Sequence, residues 1–224
     1  MKSQWCIPPE QSCEFVAAME DVLELYGMPR DENIPLVCMD EQPVQLLGDR
    51  IEPIEMKPGQ IKKEDYEYKR RGVCSIFMFS APLEGWRHVE AQEHRTRVDW
   101  AYQIDNLMTN HFPNASKIRL VMDNLNTHTK GSLYQAFPPQ KALELARRLE
   151  LHYTPKHGSW LNMAEIELSV LTMQCLDRRI EDIETLKLEI SAWEKARNTA
   201  DQNIDWQFTT SIARDKLKRL YPCI

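Results

Sequence analysis

Three apolar runs set the folding problem for this chain. "PLVCMDEQPVQLL" (35–47), "GVCSIFMFSAPL" (72–83) and "KIRLVMDN" (117–124) are short, rich in β-forming residues and open on continuous apolar stretches. Runs of this kind fit buried strands covered by helices. "WRHVEAQ" (86–92) alternates and follows a Pro-Leu-Glu-Gly turn, so it forms an antiparallel hairpin with the run before it. "LELHYTP" (149–155) alternates and stops at proline. Helices are expected over Pro8–Tyr26, 97–112, 138–150, about 160–178, 180–198 and about 209–220. Pro43 is expected to end the first strand, and 48–72 to be a long polar loop. An early antiparallel group followed by strands separated by helices defines an α/β domain with a mixed sheet.

Charge narrows the function. The formal net charge is −6, which argues against a stand-alone nucleic-acid binder but not against an enzyme that meets nucleic acid through metal ions. Met1–Glu10 lacks the pattern of a signal peptide, and no apolar run reaches membrane-spanning length, so the cytoplasm is the expected location. The six cysteines form no C-x-x-C pair; Cys38, Cys74 and Cys175 lie in apolar segments and read as core. Trp160, Trp193 and Trp206 read as core or interface residues. Neither G-x-S-x-G nor G-x-x-x-x-G-K occurs.

Four acids stand out by position. Asp40 interrupts the first apolar run, Asp123 ends the third, and Glu165 and Glu167 sit in the apolar helix of "HGSWLNMAEIELSVL" (157–171). In open α/β sheets functional groups gather at strand ends, although an aspartate there is often only a turn residue. Helical spacing places Leu161, Ala164, Leu168, Leu171 and Cys175 on one stripe, with Glu165 and Glu167 on its opposite flanks, and does not choose between them. Glu41 should face away from Asp40 across its strand. Asn124 and His128 can orient ligands or phosphate, or be plain loop residues. His157 and Ser159 precede a helix N-terminus, where phosphate binds or a cap forms. Lys62, Lys63, Arg70 and Arg71 can track a DNA backbone or simply be solvated.

"VCMDEQPVQLLGD", "LVMDNLNTHT" and "YTPKHGSWLNMAEIELSVL" resemble the three catalytic blocks of mariner-related bacterial insertion-sequence transposases, and "DWQFTTSIARDKLKRLYP" resembles their closing segment. The resemblance implies a ribonuclease-H-like fold with a five-stranded mixed sheet and an Asp-Asp-Glu metal site. Residue by residue it implies Asp40 and Asp123 as the aspartates. Asn162-Met163-Ala164-Glu165 matches the family's Asn-Pro-x-Glu, so Glu165 is the glutamate and Met163 replaces the proline. It further implies Mg²⁺, replaceable by Mn²⁺, as two ions; hydrolysis at element ends followed by strand transfer; DNA ends and target as partners; and a dimer.

The expected organisation is a helical lead-in (1–30), a catalytic core (31–180) and a helical extension (181–224), packed as one domain. The catalytic blocks begin so early that the family's DNA-recognition modules are expected to lie elsewhere, whether on a separate polypeptide from an overlapping reading frame or lost from a truncated copy. Two other readings stay open: a silent fragment that regulates by dimerising with a full-length transposase, and a ribonuclease-H-like host nuclease. Three crowded carboxylates repel, so the site is expected to be loosely organised without metal, with raised proton affinity.

Overall fold

A computed structural model describes residues 7, 8 and 10–222. The elements are α1 (Cys13–Tyr26), β1 (Leu36–Asp49), β2 (Tyr68–Ala81), β3 (Trp86–Gln92), α2 (Arg97–Asn106), β4 (Ile118–Met122), α3 (Lys130–Ala136), α4 (Pro139–Arg148), β5 (Leu149–Tyr153), α5 (Met163–Leu171), α6 (Ile183–Thr199) and α7 (Thr210–Lys216). The five strands form one mixed sheet in the order β3-β2-β1-β4-β5. β1 pairs antiparallel with β2 and parallel with β4; β2–β3 is antiparallel and β4–β5 parallel. This is the mixed sheet expected from the three apolar runs and the hairpin.

Continuous apolar strands arise because both faces of the sheet are covered. Leu36 and Cys38 of β1, Ile76 and Met78 of β2 and Val121 of β4 share one core with α1, α5, α6 and α7. Val37, Met39, Phe77, Phe79, Leu120 and Met122 share the other with α2, α3 and α4. Trp100 of α2 is fully buried there; removing about 200 Å² from water is worth on the order of 5 kcal/mol before entropy. Cys38, Cys74 and Cys175 are buried free thiols; Cys6 and Cys223 lie outside the described residues. Trp193 is buried, and Trp160 and Trp206 pack at the edge of the first core. Among the described residues no helix is long and apolar enough to cross a membrane.

Several local expectations need correction. β1 runs through Pro43 to Asp49. β4 pairs only with Leu36–Cys38, so at Pro43 the strand has a neighbour on one side alone, and a residue without an N–H is tolerated there. β2 begins at Tyr68, so Lys69, Arg70 and Arg71 lie on a strand rather than in a loop; a register shift sits between Leu46 and Leu47, opposite Gly72. The first helix begins at Cys13, where Ser12 caps it by accepting from Phe15 N. The helix expected over 97–112 ends in a π-helical turn, Leu107–His111. The one expected over 160–178 is a 3₁₀ turn (Ser159–Leu161), then α5, then a π-helical turn (Thr172–Leu176). α3 was not anticipated: "KGSLYQA" is too short and too polar to show helical periodicity.

Candidate active site

Strand alternation builds the site. Leu36 and Cys38 face α5, so Asp40 faces the same way, while Glu41 follows Val37 and Met39 to the other face. On β4, Val121 faces α5, and Asp123 stands one residue past the strand end. The parallel register pairs Cys38 with Val121. The ladder ends there; Asp123 follows the last residue of β4, close enough for its charge to act on Asp40.

α5 delivers the glutamate. Its N-cap is Asn162, not Ser159, which opens the preceding 3₁₀ turn. Asn162 Oδ1 accepts from Ala164 N (3.1 Å) and Nδ2 donates to the Met39 carbonyl (2.8 Å). The helix start is thus tied to β1 one residue before Asp40. Met163 occupies the first helical position, where proline is also at home. Glu165, in the first turn, lines an open cleft with Asp40, Gln42, Pro43, Ser169 and Thr172. Gln42 Nε2 donates to Thr172 Oγ1 (3.2 Å) across this cleft. Glu167 turns away: it is 1% exposed and ion-paired with Arg87 (2.8 Å) and Arg197 (3.1 Å).

The electrostatics are those of uncompensated acids. Asp40 is pushed up to about 7, chiefly by burial and then by the charges of Asp123, Glu165 and Glu41; a hydrogen bond from Glu41 N (2.7 Å) opposes this. Crowding therefore contributes, but burial is the larger cause. Glu41 is buried with His128, whose Nε2 lies 3.0 Å from Glu41 Oε1. His128 Nδ1 lies 2.7 Å from Asp123 Oδ1 and 3.3 Å from the Asp123 carbonyl. Burial alone would lower the His128 pKa, but the Asp123 and Glu41 contacts raise it to about 9.

This donor set fits a hard divalent cation. The ligands are carboxylate oxygens, and among the described residues no lysine or arginine pairs with Asp40 or Glu165. Among the described residues no three such side chains converge closely enough to enclose an ion as they stand.

The remaining candidates are dispersed. Asn124 is exposed beside Asp123 and lines a second groove with Tyr153, Lys156 and His157. His157 is exposed with φ 66°, a left-handed backbone that costs energy in a residue with a Cβ. His128 is fully buried and cannot touch DNA as it stands. Lys62 pairs with Glu64 (2.8 Å) and Arg71 with Glu181. Arg70 pairs in register with Leu47, seven residues along β1 from Asp40, on the order of 23 Å away. Asn162 was read only as part of a motif; an asparagine just ahead of an apolar helical run is a capping signal that could have marked it. Glu41 and Arg87 carried no such signal.

With this geometry in place, residues 35–187 match the family described as DDE superfamily endonuclease. Solved structures share the fold at low identity. The catalytic domain of Mos1 mariner transposase aligns with a TM-score of 0.55 at 11% identity, covering 87% of this chain and 90% of that one. A Mos1 mariner paired-end complex with Mn gives 0.56 at 15%, covering 90% and 62%. A Mos1 paired-end complex with the left transposon end gives 0.58 at 14%, covering 98% and 65%. The chain thus spans less than two thirds of the chains in these two complexes, and its mixed sheet is the ribonuclease-H-like fold. Comparison with curated proteins gives no match.

Proposed function

The chain belongs to the DDE superfamily endonucleases, and on that premise we propose that it is the catalytic domain of a DNA transposase, with Asp40, Asp123 and Glu165 as its metal-holding carboxylates. The observation that carries this reading is that Asp40 on β1 and Glu165 on α5 line one cleft, while the charge of Asp123, one residue past β4, acts on Asp40.

Phosphodiester chemistry needs positioning and charge stabilisation more than covalent help. Bound to these carboxylates, a pair of Mg²⁺ or Mn²⁺ ions would supply activation of the attacking oxygen and charge neutralisation at the leaving one. The protein's own part is to hold the acids in place. Asn162 ties the start of α5 to β1 one residue before Asp40, and the parallel β1–β4 pairing ends two residues before each aspartate. The cleft is open, which lets an extended phosphate backbone approach. Asn124 and His157 line a groove next to Asp123 along which a strand can continue. Lys63 and Arg70, exposed on and beside the outer β1–β2 ribbon, suit distant backbone contacts.

The reaction proposed is hydrolysis at an element end followed by attack of the freed 3′ hydroxyl on target DNA. The Mos1 structures with Mn, and with transposon-end DNA, support this reading by likeness of fold. Two copies would pair the two ends. The test is Mg²⁺- or Mn²⁺-dependent nicking of supercoiled plasmid. Wild type should nick; Asp40→Asn, Asp123→Asn and Glu165→Gln should each lose at least about 100-fold. Equal nicking by wild type and Asp123→Asn would sink the assignment.

A further inference from the structure

We propose that Glu41 and His128 form a positioning couple that holds Asp123 in the orientation needed to bind metal; the inference rests on the site assignment above. Two acids stand back to back on β1. Asp40 faces the cleft, and Glu41 faces the α2–α3 layer, where its side chain is 3% exposed. The chain leaves β4 at Asp123 and turns back so that His128 lies beneath the sheet end, fully buried. The imidazole there spans Glu41 and Asp123. Nε2 faces Glu41 Oε1 (3.0 Å) and Nδ1 faces Asp123, so both ring nitrogens have an oxygen partner.

The ring itself is held firmly. Its backbone N donates to the Leu125 carbonyl (3.1 Å), and its carbonyl accepts from Tyr153 Oη (2.8 Å). Ser132 Oγ donates to the neighbouring Thr127 carbonyl (2.6 Å), and the Trp100 ring lies 5.9 Å from the imidazole. The guanidinium of Arg95 stands 3.8 Å from the second oxygen of Glu41. A buried charged pair is a weak way to gain stability, and a shape-matched apolar pair would serve packing as well. What this pair adds is orientation. The contact at 2.7 Å keeps Asp123 Oδ1 inward and buried, while the Asp123 side chain as a whole stays 34% exposed. The exposed part therefore carries the other oxygen, which is left free for a ligand. Groups behind metal-binding carboxylates fix them in this way.

The test measures Mn²⁺ binding by electron paramagnetic resonance of the free ion, without DNA, on wild type, His128→Ala, Glu41→Gln and a core variant, Ile104→Val. The Mn²⁺ concentration giving half-maximal nicking is read in parallel. His128→Ala should weaken Mn²⁺ binding by about 10- to 100-fold, with nicking partly restored at high Mn²⁺. Glu41→Gln keeps the shape and should weaken it by a few-fold; it carries the test if His128→Ala does not fold. Ile104→Val lowers stability away from the site and should leave Mn²⁺ binding unchanged. Wild-type Mn²⁺ binding in both site variants would overturn the couple and leave the catalytic assignment standing. Absence of Mn²⁺ binding in wild type would overturn both.

Discussion

Glu165 and Glu167 stand two residues apart on α5 and face opposite surroundings. Glu165 opens onto the cleft that holds Asp40, whereas Glu167 is sealed between Arg87 and Arg197. The difference predicts opposite phenotypes. Glu165→Gln should abolish nicking with little change in urea unfolding. Glu167→Gln leaves two arginines without their counter-charge and should cost about 3–5 kcal/mol of stability. A Glu167→Gln protein that unfolds like wild type yet is dead in the nicking assay would reverse the two roles.

Asn162 does two jobs that substitution can separate. Asn162→Ala loses the cap, costing about 1–2 kcal/mol, together with the tie to the Met39 carbonyl. Asn162→Asp keeps a capping acceptor but places a carboxylate against that carbonyl. Both should nick at least about 10-fold more slowly, since small misplacements of a catalytic group are costly, and Asn162→Asp should melt closer to wild type than Asn162→Ala. Wild-type nicking by Asn162→Asp would show that the tie to β1 does not matter.

Away from the cleft, His88 links β3 to α6 and α2 through Glu194 (3.3 Å), Glu90 (3.8 Å) and Asn106 (3.3 Å). Burial alone would lower its pKa, but Glu194 and then Glu90 raise it to about 9. A histidine whose folded pKa is raised contributes stability that is fully present below its unfolded pKa, about 6.5. That contribution is lost as pH rises through about 9. Thermal melts at pH 6 and pH 9.5 should therefore show a larger loss in wild type than in His88→Asn. Parallel curves for the two proteins would refute the linkage.

Charges on the outer ribbon predict a graded DNA effect. Lys62 and Arg71 are paired with Glu64 and Glu181, while Lys63 and Arg70 are exposed. Lys63→Ala and Arg70→Ala should each weaken non-specific DNA binding and reduce the salt slope by about one. Lys62→Ala and Arg71→Ala should change it less. Mobility shifts across a salt series would decide, and equal effects from all four would mean that the ion pairs open on DNA.

Much of this architecture was legible because it follows from alternation and periodicity. The buried runs, the β2–β3 hairpin and the opposite facing of Asp40 and Glu41 all come from the two-residue repeat of a strand. Helical spacing left Glu165 and Glu167 undecided, because the distinction lies in partners far along the chain. Arg87 occupies the same buried face of β3 as Val89 and Ala91. Its reason is Glu167, 80 residues away, which local pattern does not encode. The extension of β1 through Pro43 was hidden for a similar reason: proline is tolerated there only because β4 stops short.

The central claim is that Asp40 and Asp123 hold metal together, with Glu165 beside them. Anomalous diffraction from Mn²⁺-soaked crystals measures this directly. The account predicts manganese peaks bonded to both Asp40 and Asp123, with the Glu165 carboxylate within reach of the same cluster. Manganese at saturating concentration bound elsewhere, or held by Asp40 without Asp123, would contradict it.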